Sequence, residues 1–186
     1  MDMDFLISEG LGFVSGSTNT RFKTDIYGKV KLIDKVILPK NIASSFKDNY
    51  YTTYETTEYI DLYRVYGKGY SGAGAESTGC FASTEFAESR IDAKIRLALK
   101  PAWKNTLLVE EKIAVPPGTI IQVGIVAPIV LETGTVLSGG AEQILLPRNW
   151  PEDWIVGYRE VTSKPLMDYP EFYPEPPIDH REKPNR

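Results

Sequence analysis

The spacing of apolar and polar residues predicts a chain made mostly of strands, with one principal helix. In residues 83–100, apolar side chains recur at helical spacing, with Ser83 as a candidate N-cap and Pro101 as the stop. Runs rich in β-branched and aromatic residues predict strands at residues 29–39, 57–67, 80–83, 106–115, 116–130, 139–147 and 153–161. We therefore predict an α+β fold in which a twisted, mostly antiparallel sheet packs with that helix.

The remaining segments set the predicted domain boundaries. Residues 41–59 are polar and tyrosine-rich, with a short helix near their start, and residues 68–79 form a loop of small residues. The last 25 residues hold six of the 13 prolines, which is typical of an extended arm or a disordered tail. We predict a single domain at residues 1–161, with its core motifs in 57–161, and a proline-rich arm or tail at 162–186.

Composition and charge exclude several classes of protein. The 186 residues suffice for one domain with a hydrophobic core, and 42% of them are hydrophobic. The net charge is −4 and the basic residues are scattered, so we expect no nucleic-acid partner. There is no run of about eighteen apolar residues, so we expect no membrane span. The opening MDMDFLISEG is acidic where a signal peptide would be basic, so we expect no secretory signal peptide.

The side chains available for chemistry are limited by the scarcity of cysteine and histidine. The chain has one cysteine, Cys80, and one histidine, His180, which lies in the proline-rich segment. An internal disulfide is excluded, and Ser-His-Asp catalysis, Cys-His catalysis and a Cys/His zinc site do not fit. We therefore expect no metal, and chemistry from Arg, Tyr, Glu, Asp, Ser or amide side chains. The adjacent acids Glu110 and Glu111 are expected to form a solvated edge.

One glycine-rich segment imitates a dinucleotide-binding fingerprint. GKGYSG at residues 67–72 matches Gly-x-Gly-x-x-Gly after a predicted strand, and Asp92 lies at a suitable distance downstream for a ribose contact. The fingerprint requires the last glycine to open a helix, but the next predicted helix begins about eleven residues later. We interpret the segment as a flexible loop that could close over a ligand, with Tyr70 as a candidate ligand contact.

Three separated elements together resemble the ADP-ribosyltransferase superfamily. Arg64 lies near the end of a strand in LYRVYG, the segment GCFAST (79–84) leads into the helix, and Gln143 enters a late strand in GGAEQILLP (139–147). In that superfamily an arginine holds the NAD phosphates or ribose, a Ser/Thr segment supports the cleft, and a glutamate contacts the nicotinamide ribose. The resemblance implies an ADP-ribosyltransferase-like fold.

The pattern is similar, within that superfamily, to the tuberculosis-necrotizing-toxin-type NAD glycohydrolases. That subgroup has a strand of the form G-x-I-A-P before a G-G-x-x-Q strand, and its arginine precedes a G-x-[YF]-x-S segment. The matching positions here lie within residues 60–147 and are Arg64, Gly79, Phe81, Ser83, Gly124, Ala127, Pro128, Gly139, Gly140 and Gln143. The histidine that the subgroup places in the middle segment has no counterpart here, so no imidazole-dependent step is carried over.

The resemblance implies that NAD+ or NADP+ is the substrate, with no separate cofactor, and it assigns roles to single residues. Arg64 and Gln143 would be the catalytic residues, and the planar guanidinium of Arg64 suits the pyrophosphate. The substrate-binding positions would be Phe81 facing the nicotinamide ring, Ser83 supporting the cleft, and Gly139 and Gly140 letting the backbone approach the ligand.

The residue type at position 143 separates two reactions of this substrate. Glutamine can hydrogen-bond the ribose hydroxyls but cannot act as a base toward an acceptor protein, which favours hydrolysis over transfer. Glu142 is expected on the other side of a regular strand. A mono-ADP-ribosyltransferase with Glu142 or Glu76 as its acid is the first alternative. A non-catalytic binding or adaptor module, using the tyrosine-rich and proline-rich segments, is the second.

The resemblance also implies a setting and partners. Domains of this subgroup are toxins that deplete NAD in the cytoplasm of a target cell. The resemblance also implies a cognate immunity protein that plugs the cleft. The lack of a signal peptide and of disulfides separately fits an effector delivered by a specialised secretion apparatus, often as the tail of a larger polypeptide. We expect the same delivery, site of action and immunity partner for this chain.

Overall fold

The structure, a computed structural model, describes residues 23–68 and 74–177. The predictions made for Tyr70, for His180 and for most of the segment GKGYSG lie outside the described residues. Within the described ranges, the secondary structure consists of strands, two short α-helices and three 3₁₀ turns. No helix among these residues is long and apolar enough to cross a membrane.

The elements follow one another along the chain with short connections. The helices are α1 (Lys40–Ala43) and α2 (Arg90–Arg96), and the 3₁₀ turns cover Tyr27–Lys29, Pro101–Trp103 and Glu152–Trp154. The strands are β1 (Val30–Leu32), β2 (Phe46–Thr56), β3 (Ile60–Lys68), β4 (Gly74–Ala75), β5 (Phe81–Ser83), β6 (Val109–Val115), β7 (Ile120–Val126), β8 (Ile129–Val130), β9 (Val136–Leu137), β10 (Glu142–Leu145) and β11 (Ile155–Glu160).

Nine of these strands form one antiparallel sheet. Its order is β1-β2-β7-β10-β5-β3-β6-β11, and β4 pairs with the end of β3 as a hairpin. The pair β8-β9 forms a small second sheet. The described part of the chain is therefore mostly antiparallel sheet with few helices, which confirms the prediction of an α+β, mostly antiparallel fold.

The principal helix is shorter than its apolar spacing predicts. Helix α2 begins after Ser89, whose hydroxyl accepts a backbone hydrogen bond in the first turn. The prediction of a helix at 83–100 capped by Ser83 is therefore wrong at both ends. The first part of the predicted run is not helical because Glu110 and Arg159, from β6 and β11, bind the backbone N and O of Ala87.

Two strands differ from their sequence predictions. Only three residues of the predicted strand 29–39 pair, as β1, whereas the polar segment 41–59 contains the 11-residue strand β2. The sequence did not predict this strand because the segment is polar. Two of its threonines, Thr53 and Thr56, are nevertheless buried, and their hydroxyl groups are hydrogen-bonded. The Thr53 hydroxyl accepts from Val36 N at 3.1 Å, and the Thr56 hydroxyl donates to Pro116 O at 2.7 Å. The short helix expected near the start of this segment is α1.

The register of five strands distinguishes the two faces of the sheet. One row of paired residues runs across β2, β7, β10, β5 and β3 and contains Tyr51, Gly124, Gln143, Ser83 and Tyr63. Cross-strand partners point to the same side, so this row defines the front face, on which α2 lies. The rear face carries the main hydrophobic core, made of Ile26, Ile60, Leu62, Ala82, Ile113, Val115, Ile121, Val123, Ile144, Leu146 and Trp150.

The described part of the proline-rich segment, residues 162–177, lies against the sheet as an extended arm. Tyr158 and Tyr173 exchange two backbone hydrogen bonds of 2.7 Å, which places the arm beside β11. The Phe172 ring lies 5.8 Å from the Tyr63 ring, measured between centroids. The arm therefore covers part of the front face, while the domain boundary at residue 161 stays a prediction.

Candidate functional site

A cavity of about 460 Å³ opens on the front face, beside the point where β3 and β5 separate. In the described chain these strands share one register pair, Tyr63–Ser83, whereas β5 and β10 are paired over three residues. The cavity volume lies in the range usual for small-molecule sites, roughly 300–1,000 Å³. Of the residues predicted for the site, the cavity is lined by Arg64, Phe81, Ser83 and Gln143.

Gln143 lies on the sheet wall of the cavity, and Ser45 fixes the orientation of its amide. Gln143 Nε2 donates to Ser45 Oγ at 3.0 Å, and the Ser45 hydroxyl donates to Ile42 O at 2.7 Å. Because the serine proton is directed at Ile42, the serine oxygen has to accept, and it therefore faces the amide nitrogen. The amide can therefore offer a ligand its Oε1 as an acceptor and its second Nε2 hydrogen as a donor.

Glu142, the preceding residue, faces the rear of the sheet, as the alternation along a strand predicts. Its carboxylate accepts hydrogen bonds from the Tyr27 phenol and from Thr84 Oγ1 at 3.0 Å, and pairs with Lys23 Nζ at 3.3 Å. Burial and the bond to Glu142 raise the pKa of Tyr27, so the phenol stays protonated and donates. The sheet thus separates this carboxylate from the cavity.

Arg64 lines the cavity and also holds the loop 76–81 beside it. Nε donates to the carbonyl oxygens of Glu76 and Ser77, both at 3.1 Å. Nη2 donates to Glu76 O at 2.8 Å, and Nη1 donates to Phe81 O at 2.7 Å. Gly79 makes room for this arrangement, because a β-carbon at that position would lie 2.0 Å from Arg64 Nη2. The guanidinium is therefore fixed in place by the backbone of the loop.

A buried carboxyl group neighbours Arg64 on the adjacent strand. Glu111 pairs with Arg64 in the register of β3 and β6, its exposure is 0%, and neither carboxyl oxygen has a hydrogen-bond partner in the described part of the chain. Burial raises the pKa of Glu111 to about 8, and Arg64 opposes this shift. Burial also lowers the pKa of Arg64, which Glu111 opposes in turn. Burial thus favours the neutral form of Glu111, while the Arg64 guanidinium donates its hydrogen bonds to the loop carbonyls.

The neighbouring acid, Glu110, is also fully buried, in an ion pair on the front face. Its carboxylate accepts from Arg159 Nε at 2.6 Å and from Ala87 N at 2.7 Å, and Arg159 Nη2 donates to Ala87 O. This pair holds the extended segment that leads into α2. The prediction of a solvated edge at Glu110 and Glu111 is wrong, because β6 is an inner strand of the sheet and both acids are buried.

Phe81 and Ser83 line the cavity from β5 in different ways. The Ser83 hydroxyl donates to Glu142 O at 2.7 Å and accepts from Glu85 N at 3.1 Å. The first bond ties β5 to β10 and the second fixes the chain just after β5, so the Ser83 hydroxyl supports the wall of the cleft. Phe81 is half-buried and contributes an aromatic side chain, while its carbonyl oxygen anchors Arg64.

Gly139 and Gly140 do not line the cavity. Both have left-handed backbone, with φ of 64° and 97°. A β-carbon on Gly139 would lie 2.5 Å from Val126 O, and Gly140 N donates to the same oxygen at 3.1 Å. The close approach that these glycines permit is to the end of β7, so the geometry gives no support to their prediction as substrate contacts.

Two residues of the site have no counterpart in the sequence predictions. Ser45 follows α1 in a segment without a recognisable motif, and its contact with Gln143 spans 98 positions of the chain. Trp103 ends the 3₁₀ turn after α2, lines the cavity and is 52% exposed. The signal that could have drawn attention to Trp103 was a large aromatic residue placed directly after the predicted helix stop, Pro101.

The described side chains suit an organic ligand that has both rings and anionic groups. Arg64 supplies a positive charge, Gln143 an acceptor, and Phe81 and Trp103 supply aromatic faces. Among the residues the structure describes, no group of three or more His, Cys, Asp or Glu side chains is placed to hold a metal ion.

Comparison with known proteins gives one remote likeness. No protein-family model matches the chain, and no curated protein matches it. Among solved structures, a complex of Tne2 with Tni2 contains a similar chain, 21% identical in sequence, with a TM-score of 0.49. The similarity covers 62% of this chain and 95% of that chain. The function therefore has to be inferred from the contacts of this chain.

Proposed function

We propose that the chain is an NAD(P)+ glycohydrolase, which cleaves the bond between nicotinamide and ribose in NAD+ or NADP+. The observation that carries the proposal is the meeting of Arg64, Phe81 and Gln143, from three different strands, around a single cavity. Each side chain suits one part of the dinucleotide: the pyrophosphate, the nicotinamide ring and the ribose. These positions also belong to the motifs that resemble necrotizing-toxin-type NAD glycohydrolases, with their ADP-ribosyltransferase-like fold.

We propose that Arg64 binds the pyrophosphate through a guanidinium that needs little rearrangement. The loop carbonyls hold its guanidinium in position before a substrate arrives, so little orientation has to be fixed on binding. Charge-assisted bonds from a guanidinium to phosphate oxygens are among the stronger hydrogen bonds in proteins. Burial favours the neutral form of Glu111, which weakens its competition with phosphate oxygens for this charge.

Cleavage of the nicotinamide–ribose bond requires mainly that the ribose is held in place and that the ribosyl cation is stabilised electrostatically. The bond between C1′ and the pyridinium nitrogen breaks, its electron pair stays on that nitrogen, and nicotinamide leaves as a neutral molecule. The remaining ribosyl cation is oxocarbenium-like, as in glycoside cleavage. Gln143 Oε1 accepts a ribose hydroxyl and places partial negative charge beside the cation. Water then adds at C1′ and releases one proton to solvent, which yields free ADP-ribose from NAD+.

The geometry favours hydrolysis over transfer to a protein. The alternative transferase needs a carboxylate in the cavity, and Glu142 instead binds Tyr27 and Thr84 on the rear face. Glu76 contacts the site through its backbone carbonyl, which accepts from Arg64. Gln143, which does face the cavity, cannot take a proton from an acceptor protein.

The proposed activity implies a toxin that depletes NAD in the cytoplasm of a target cell. We propose that it reaches that cell through a signal-peptide-independent apparatus, as part of a larger polypeptide, and that an immunity protein covers the cavity. The resemblance at the cavity residues motivates this setting. Expression of the chain in the cytoplasm of a bacterium should lower cellular NAD and stop growth, and Arg64→Ala should relieve both effects. Unchanged NAD in cells that contain the folded wild type would contradict the toxin role.

The direct test of the activity is incubation of the purified chain with NAD+ or NADP+, followed by chromatography of the products. We expect nicotinamide release by the wild type. Arg64→Ala and Gln143→Ala, each still folded by circular dichroism, should lose about a hundredfold in kcat/KM. A wild type that releases no nicotinamide, with or without added cell lysate, would leave the non-catalytic binding module as the remaining alternative.

A further inference from the structure

We infer that Trp103 forms the subsite for the adenine ring of the dinucleotide, a role that rests on the proposed NAD(P)+ site. Trp103 lines the same cavity as Arg64 and Gln143, but from the segment after α2 and not from the sheet. Its side chain is 52% exposed. An indole left half in solvent at a cavity wall is a stacking surface for a flat heterocycle.

The other two tryptophans of the chain show that this exposure is specific to position 103. Trp150 is 3% exposed and stacks on Trp154, with a distance of 6.0 Å between ring centroids. Trp150 belongs to the rear core and Trp154 packs against it. Both thus have a structural role, whereas about half of Trp103 is exposed to solvent, with Lys100 Nζ over its ring.

The segment that presents Trp103 has an unusual and fixed backbone. Ala98, Lys104 and Leu107 are all in the left-handed region, with φ of 47°, 54° and 56°. This conformation is uncommon for residues other than glycine, asparagine and aspartate, and such residues cluster at ligand sites. The Asn105 side chain holds the segment, because Nδ2 donates to Val65 O at 3.2 Å and Oδ1 accepts from Leu107 N at 3.0 Å. The wall that carries Trp103 is therefore shaped in advance.

The arrangement of the walls decides which ring Trp103 meets. Gln143 and Phe81 belong to paired strands of the sheet, so the reacting ribose and the nicotinamide ring belong on that wall. Arg64 takes the pyrophosphate that links the two halves of the substrate. The half that does not react then extends toward the segment after α2, where Trp103 lies. Lys100 Nζ lies 5.6 Å from the centroid of the Trp103 indole and adds positive charge beside the adenosine half.

The kinetic test compares a dinucleotide with a substrate that lacks adenosine. We expect Trp103→Ala to raise KM for NAD+ by about tenfold to a hundredfold, with kcat little changed. KM for nicotinamide mononucleotide should stay within about twofold of the wild-type value, and Trp103→Phe should recover part of the NAD+ affinity. Equal rises of KM for both substrates, or no rise for NAD+, would overturn the inference. Tyr59→Ala is the matched control, since Tyr59 is 62% exposed and lies outside the cavity lining.

A binding measurement separates this inference from the proposed activity. Titration calorimetry with AMP and with ADP-ribose needs no catalysis, and Trp103→Ala should weaken both ligands by the same factor as KM. Trp103-dependent binding of AMP by a wild type that does not cleave NAD+ would uphold the subsite and contradict the glycohydrolase. Cleavage of NAD+ with AMP binding unchanged in Trp103→Ala would uphold the glycohydrolase and overturn the subsite.

Discussion

The α-carbon of Gly79 lies directly against the guanidinium of Arg64. A β-carbon on Gly79 would fall 2.0 Å from Arg64 Nη2 and 2.4 Å from Cζ, closer than any stable contact. The same guanidinium is hydrogen-bonded to the carbonyl oxygens of the loop that contains Gly79. The loop and the charge that it positions are therefore one unit, and a methyl group at position 79 has to separate them.

Substituting Gly79 should accordingly act as an indirect substitution of Arg64. Gly79→Ala is expected to reduce kcat/KM for NAD+ by about tenfold to a hundredfold, the value of a charge-assisted hydrogen bond. Left-handed backbone plays no part, because Gly79 is not among the residues with positive φ. Gly28→Ala is the control, since a β-carbon at Gly28 meets nothing within 4 Å. Full activity in Gly79→Ala would show that Arg64 need not occupy its present position.

Substitution of Gln143 should lower the activity, whereas substitution of Glu142 should leave it almost unchanged. Gln143→Leu removes the acceptor that the ribose requires and should lower kcat/KM about a hundredfold. Gln143→Glu keeps an acceptor oxygen and should retain part of the activity, while Ser45→Ala should cost only about fivefold, one neutral hydrogen bond. Glu142→Gln, on the rear face, should stay within about twofold of the wild type. Loss of NAD+ cleavage in Glu142→Gln would instead support the alternative in which Glu142 is the acidic residue of the site.

Glu111 should make the folded state less stable as the pH rises. Its pKa is raised from 4.5 to about 8 by burial, with Arg64 opposing and Glu152 adding to the shift. The folded state therefore binds the proton more tightly than the unfolded state does. This contribution is fully present below pH 4.5 and is lost between about pH 4.5 and pH 8. Burial raises the pKa values of Tyr66 and Tyr158, and the charge of Glu111 raises them further.

The measurement is the midpoint of thermal unfolding between pH 5 and pH 9. The Tm of the wild type should fall as the pH rises, and the Tm of Glu111→Gln should fall less. Between pH 5 and pH 9, the variant's Tm should therefore rise relative to that of the wild type by roughly a few degrees. The slope is the informative quantity, because an amide at this position also lacks partners. Glu132→Gln, at an exposed position, should leave the slope unchanged. Parallel curves for wild type and Glu111→Gln would mean that Glu111 does not titrate in this range.

The buried pair Glu110–Arg159 should matter more for stability than an exposed ion pair. Arg159→Ala leaves the Glu110 carboxylate buried without its cation and frees Ala87 O, so we expect a loss of about 3–5 kcal/mol in the free energy of unfolding. Urea denaturation gives this value. Lys31→Ala, which breaks an exposed pair with Glu55, should cost at most about 1 kcal/mol. Comparable losses for the two variants would contradict the structural role of the buried pair.

The sequence pattern predicts the fold class where the side chains that favour strands also pack in the folded sheet. The strands β6, β7, β10 and β11 lie within predicted runs, and β3 extends one residue beyond its run, because β-branched and aromatic residues there pack in the sheet. The pattern fails where a tertiary contact decides the outcome. Residues 84–89 are not helical because Glu110 and Arg159 bind Ala87, and those partners are distant in the chain. Strand β2 was also missed, because the hydrogen bonds that allow its threonines to be buried come from other segments of the chain.

The residues of the candidate site also fall into those that the sequence could predict and those that it could not. Residues within motifs, namely Arg64, Phe81, Ser83 and Gln143, could be predicted and do line one cavity. Residues whose roles depend on a distant partner could not. Ser45 matters through its contact with Gln143, and Glu111 through its burial beside Arg64. The glycines 139 and 140 were assigned to the ligand because a motif cannot show which backbone they approach.

The most direct test of the central claim follows the ADP-ribose itself. NAD+ labelled with ³²P in the adenylate phosphate is incubated with the chain in the presence of cell lysate, and nicotinamide, free ADP-ribose and protein-bound label are measured together. We predict that free labelled ADP-ribose equals nicotinamide, and that protein-bound label does not rise above the level given by Gln143→Ala. Label that accumulates on protein in step with nicotinamide release would show transfer, and would contradict the hydrolysis proposed for a site built around Gln143.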